Sequence, residues 1–567
     1  TPSSNRRQRQ MCIRDSSITI NATGGGLTIR GGASINAESQ SFGKGGDVTI
    51  NASDIVLLRD GMPFGAIASQ SLFAGDSGNI QINATGNIQM QEGFEISASS
   101  AGVGNAGIVS VTAGNAITIS DENSGIASAT VEPPPSVEQL LAETFLPPHP
   151  LIPPDQHVPP SFEVLVADLN LPPDSNFYDV LAALETEGKI DLRGSAATAG
   201  DAGGVSVSAN SLSMNGLGRI TSSTTADGEG GPIDIDVATL SLSDGAEIRS
   251  RSGLVSVITG ELDVGTGNGG DINIVASNNI EMTSGASISV SSLGDGMAGN
   301  ISANTNTLNM SDSSITSQAE GNGDGGDIAI TAASSIDMQN NSTISSSALG
   351  TGLAGDISIN AGQQLNMSNS SISTEATVSD GGNIDVQAVK MIYLDQSEIT
   401  TSVESGVGGG GNIDIDPDFV ILKQSSILAN AFGGPGGNIN IIAGNFITTP
   451  DSVVDASSAL GIDGTVNISS PDEEINKELA VLPDNVLDVT SLISARCGTS
   501  AGASSLVDAG PGGITIDPDG YLPSYATATD LDYEQEKGES NSVSNNRWWA
   551  PYSHQSALQI AELTCLR

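Results

Sequence analysis

The chain has 567 residues with 66 acidic against 19 basic side chains, a formal net charge of −47. A field of that sign disfavours nucleic acid and anionic membrane surfaces as partners and favours solubility. No run of about 18 apolar residues occurs, so no transmembrane helix is expected.

Residues 1–15 stand apart from everything that follows. They carry Arg6, Arg7, Arg9 and Arg14 beside Cys12, and the stretch NRRQRQMCIRDS resembles translated adapter sequence at the ends of metagenomic reading frames. The segment is read as a leader foreign to the protein. The chain also begins with Thr rather than Met, so it is expected to be a fragment whose true N-terminus is missing, and the absence of a signal peptide carries no meaning.

From Ser16 a repeat sets in, and residues 16–130 hold its first coils. Ile18, Ile20, Leu27, Ile29 and Ile35 open it; Gly46 then leads Val48, Ile50, Val56 and Leu58, and Gly78 leads Ile80, Ile82, Ile88, Met90 and Ile96. Residues 131–190 break the phase with proline pairs and two helix-like pieces, SVEQLLAETF and NFYDVLAALE. Proline removes ladder donors and fixes φ, so this stretch is read as an insertion that leaves the stack and returns to it. Residues 191–470 resume the repeat, most regularly after Gly270, where anchor glycines at 270, 299, 326, 355, 382, 411, 437 and 464 are 26 to 29 residues apart. Residues 471–567 lose the anchor and are expected to form an irregular C-terminal cap.

Each apolar pair has period 2, as in Ile272 with Ile274 or Ile280 with Met282, so one face of a short strand points inward. Three strands per repeat read as three sides of a coil that closes and starts one layer higher. Such coils bury a core only when stacked, with Ile272 beside Ile301 and Ile328. The predicted fold is all-β: a parallel β-helix, a solenoid of roughly 28-residue, three-strand rungs. About fourteen turns at the strand-pair spacing would extend roughly 65 Å. The anchor glycine before Asp or Asn is expected at a corner of positive φ.

These GGDIxI openings and SxIxS strands, with the tail GASSLVDAGPGGITIDPDGYLPS after Cys497, resemble the filamentous-haemagglutinin-like exoproteins of two-partner secretion, in particular the large cyanobacterial type. The resemblance covers about residues 16–525 apart from the insertion, and therefore the central and C-terminal part. The tail segment GGITIDPDGYLP matches the family's GGLPP-like motif only in part, and the family's N-terminal secretion domain is not visible. It implies a right-handed coil, in line with the usual crossover preference. It also implies export through an outer-membrane transporter that recognises the missing domain, and a secreted or cell-surface adhesin whose ligand is a cell surface or glycan.

Enzymatic β-helices set the competing expectation. A polysaccharide lyase or hydrolase needs clustered carboxylates with basic partners. Asp414, Asp416 and Asp418 alternate in NIDIDPDF and would project together, but they read more simply as solvated edge residues. Arg219, Arg249, Arg251, Lys390 and Lys423 read as lying at unrelated phases. His149, His157 and His554 fit no zinc spacing. Asp271, Asp327 and Asp356 read as hydrogen-bonding corner residues rather than calcium ligands, and DPDG at 517–520 as a turn. Trp548 and Trp549 read as cap packing. Cys497 and Cys565 suit one disulfide in an oxidising compartment. The sequence thus points to a surface-binding exoprotein with no catalytic residue, cofactor or metal. A polysaccharide-active enzyme and a purely structural surface-layer component stand as the alternatives.

Overall fold

The computed structural model describes residues 17–131, 200–253 and 266–470, short breaks at 23, 40–43, 63–64, 72–74, 102–103 and 225–226 excepted. Two compact units divide the chain, 1–479 and 480–567, and all described residues fall in the first. The insertion from 132, the expected cap from 471, Cys12, Cys497, Cys565, all three histidines and both tryptophans lie outside the described residues.

The described residues form strands and no helix, and every strand pairing is parallel. Two sheets result, one of 22 strands and one of 13. The second sheet takes one strand from each coil, and Val466–Ser469 opens a further layer in the first. The chain is therefore a β-solenoid. Register settles which residues share a file: Ile272 pairs with Ile301, Ile301 with Ile328, Ile328 with Ile357, and Ile357 with Ile384. Each of these side chains is essentially fully buried. Val109 pairs directly with Val205, so the coils on either side of the insertion are adjacent layers of one stack. One main apolar core runs from Ile29 to Ala456, with a small second cluster of Ala354, Ala376, Val403 and Ala431 beside it. Each isoleucine removed from water contributes on the order of 2 kcal/mol, which no isolated coil could secure.

Three details depart from the sequence reading. First, the three strands are not always three sides. Val205–Met214, Ile233–Leu242, Ile272–Thr283, Ile301–Ser311 and Ile328–Gln339 each run the first two expected strands together; register shifts mark the place of the turn in every pairing among them but the first. Where Ala361 and Gly362 intervene, with Gly362 at φ 60°, the strand divides into Ile357–Asn360 and Gln364–Ser368. Second, the inward pair after Gly46 is Ile55 and Leu57, not Val56 and Leu58. Ile55 pairs with Ile88 and Leu57 with Met90, and both are fully buried. In the run IVLL every residue is apolar, so alternation alone could not choose the face.

Third, the anchor glycines are not at positive φ. Their requirement is steric: a Cβ at Gly326 would collide with the carbonyl of Gly299 one coil below, and one at Gly355 with that of Gly326. The left-handed residues occupy a different corner, before the third strand, as Asp312, Asn340, Asn369, Gln396 and Gln424. Asn and Asp tolerate that conformation best.

The tight glycine corner is held from inside by hydroxyls. The Ser346 hydroxyl donates to the Gly326 carbonyl at 2.9 Å and accepts the Gly355 N–H at 3.0 Å. Ser317 does the same between Gly299 and Gly326. These serines are fully buried, and each satisfies two backbone groups that the corner leaves without ladder partners.

Val466 and Ile468 are 43% and 39% exposed, whereas Ile439 and Ile441, their partners in the same files, are buried.

Candidate functional site

Function on such a stack is confined to outward positions, and these fall into columns because register is preserved from coil to coil. On the first sheet the acidic run predicted from NIDIDPDF does project outward: Asp414, Asp416 and Asp418 are exposed and alternate with buried Ile413, Ile415 and Pro417. Register adds Asp385, which pairs with Asp414, and Gln387, which pairs with Asp416. Sequence order hides that neighbourhood, since the two strands are a full coil apart. Burial pushes the Asp385 carboxyl above its ordinary range, with further pressure from Asp414 and Asp416 and relief from the Gln387 amide, which donates to it at 3.0 Å. Asp414 accepts from the Asn440 amide at 3.2 Å.

A shallow cleft of about 540 Å³ lies beside this patch, at the bend between the first and second strands of successive coils. Asn360, Gln387, Val389, Asp416, Asp418 and Ile442 line it. Val389 is 60% and Ile442 49% exposed. Carboxylate acceptors, amide donors and apolar side chains together can recognise a polyhydroxylated ligand.

The corner aspartates have a structural task. Asp271 accepts the Asn300 N–H at 2.7 Å, Asp327 the Asp356 N–H at 2.8 Å, and Asp356 the Asn383 N–H at 2.7 Å. Each carboxylate thus serves the backbone of the next coil. Among the described residues, no group of three or more His, Cys, Asp or Glu is placed to hold a metal ion.

The second sheet presents a different face. Ser287, Ser314, Thr343 and Ser371 form one outward column, and Ser289, Thr316, Ser345 and Ser373 the next. Glu247 beside Ser287 and Glu398 beside Ser371 interrupt this hydroxyl surface, and so do two further charged groups. One is a carboxyl pair, Glu375 with Glu404. Burial first, then the hydrogen bond and charge of Glu404, raise the Glu375 pKa. The other is basic. Arg219, Arg249 and Arg251 occupy three different register positions, opposite Glu247, Thr221 and Ser223 respectively, but all three stand on the outer face of the same sheet on two successive coils. Lys423 lies on the first sheet, paired with Asp395 at 2.8 Å.

No family model, no curated protein and no solved structure matches this chain. Function is therefore argued from these surfaces.

Proposed function

We propose that the chain is the repeat-bearing part of a secreted or cell-surface exoprotein that acts as an adhesin, exported by two-partner secretion through a domain N-terminal to the coils. The observation that carries this reading is the outer face of the second sheet, where Ser and Thr hydroxyls recur in register over consecutive coils. Such a face offers many equivalent weak hydrogen-bonding sites, which suits multivalent attachment to a cell surface or glycan. The resemblance of the GGDIxI coils to haemagglutinin-like exoproteins supports the export route.

The test is binding of the purified chain to whole cells and to a glycan array. Saturable binding to either is expected; binding to neither would leave the structural surface-layer role instead. A second reading, a polysaccharide lyase or hydrolase, is favoured by one feature: the cleft carrying Asp416 and Asp418 beside the raised carboxyl of Asp385. Release of reducing ends from a polysaccharide panel, abolished by Asp416→Asn, would establish it.

A further inference from the structure

Arg249 and Arg251 on the second sheet are less fully partnered than Arg30 and Lys423 elsewhere on the stack. Arg30 forks onto Asp60 through two hydrogen bonds of 2.9 and 2.8 Å, and Lys423 reaches Asp395. Arg249 and Arg251 alternate on Glu247–Ser252 with the buried Ile248 and Ser250, so both project outward, about 7 Å apart along the strand. Arg249 makes one ion pair, to Glu247 at 3.0 Å. Arg251 makes no ion pair or hydrogen bond among the described residues. The Nε atoms of both are buried without a hydrogen-bond partner. A desolvated guanidinium N–H left unpaired is costly, and arginine cannot escape by losing its proton.

The surroundings suggest what the solvent-facing ends of these two guanidinium groups would bind. Thr221 and Ser289 flank Arg249 in register, and Ser223 with Ser291 flank Arg251. Arg219, one coil earlier on the same face, is held by the Asn123 side chain. Two guanidinium forks therefore sit among short hydroxyls, with Glu247 paired to Arg249 and the charges of Glu320 and Glu247 also acting on Arg251. Forks match the planar geometry of a carboxylate, and the hydroxyls match those of a sugar ring. The net charge of −47 opposes every polyanion at long range, so the ligand is a short oligomer held by local contacts rather than a long polymer, and bases would find no aromatic platform among these neighbours.

We propose that Arg249 and Arg251 form a binding site for a carboxylate-bearing saccharide, a uronate oligomer, with Thr221, Ser223, Ser289 and Ser291 receiving its hydroxyls. The proposal rests on the surface-binding reading and specifies its ligand class.

Calorimetry with a galacturonate oligomer tests it on the full chain, against the same oligomer with its carboxyls reduced to alcohols and against a sulfated oligosaccharide. Wild-type protein should bind the uronate at low salt, and carboxyl reduction should weaken binding about tenfold or more. Arg249→Gln with Arg251→Gln should do the same while circular dichroism keeps its β signature. Arg249→Lys with Arg251→Lys, which keeps charge but loses the fork, should fall between. If the glutamine variant fails to fold, protection of Arg249 and Arg251 from phenylglyoxal by the uronate replaces it. Undiminished binding by the glutamine variant, survival of binding after carboxyl reduction, no protection, or binding of the sulfated ligand alone would overturn the site. Unchanged cell binding by a glutamine variant that has also kept its uronate affinity would remove this site and leave the adhesin reading intact. Uronate binding at the site without any attachment to cells would do the reverse.

Discussion

At the scale of single residues the coil depends on atoms that are missing as much as on those present. Gly326 and Gly355 are required because the carbonyl of the coil below occupies the space of a Cβ. The repetition of the anchor was plain in the sequence, but its cause was not, since a glycine in a close approach and one at positive φ look alike as letters. Ser346 was equally hidden: in TISSSA the three serines look alike as letters, and only the layered structure reveals that one of them is bonded to two backbone groups. Glu375 gives a test at this scale. Its folded pKa is raised, so the stability it contributes is complete below the unfolded carboxyl pKa of about 4.3 and is lost as pH climbs through the higher folded value. Most paired carboxylates act in the opposite sense. Glu375→Gln should therefore raise the melting temperature relative to wild type at neutral pH, with the gap closing toward acid. Parallel melting curves against pH for the two proteins would show that the pair does not store this repulsion.

At the scale of elements, the alternation of apolar residues was sufficient for most inward faces and failed where it was absent. IVLL at 55–58 is the instance, and pairing with Ile88 and Met90 resolved it. The merging of first and second strands has a local cause as well. Between Ile274 and Ile280 the chain reads VASNN, with no glycine or proline to stop the strand, whereas Ala361-Gly362 divides the next equivalent stretch but two. Arg249 and Arg251 were visible in the sequence, but the hydroxyls that flank them were not, because contact between coils joins residues tens of positions apart. Because each coil touches only the next, removal of one whole coil should be tolerated. Deleting Gly326–Ala354 joins Gly325 to Gly355 in the same phase and brings the Ile301 file against Ile357. The shortened chain should keep its β-sheet dichroism and a cooperative melt. Deleting Gly326–Asn340 alone leaves too little chain to close a turn and should abolish both across the following layers. Equal tolerance of the two deletions would contradict nearest-neighbour stacking.

At the scale of the described stack, charge is the term that register amplifies. Composition announced an excess of acid, but only the layering places like charges opposite one another. Asp327 and Asp356 occupy the same corner of successive coils, and Asp385 and Asp414 the same outward position. Strand spacing separates such residues by roughly 4.8 Å. In the unfolded chain they would be a coil's length of sequence apart, so folding brings the charges together and repulsion acts against it. Exposed charges are screened over about 30 Å at 0.01 M salt and about 8 Å at 0.15 M. Raising sodium chloride over that interval should raise the melting temperature, with most of the gain at the low end. Hydrogen bonds from backbone N–H groups to Asp271, Asp327 and Asp356 already occupy one oxygen of each. Calcium chloride at equal ionic strength should accordingly add little more than sodium chloride does. A melting temperature indifferent to salt would mean that the stacked carboxylates are not under strain, and a large additional rise with calcium would mean that the corners hold the ion between coils.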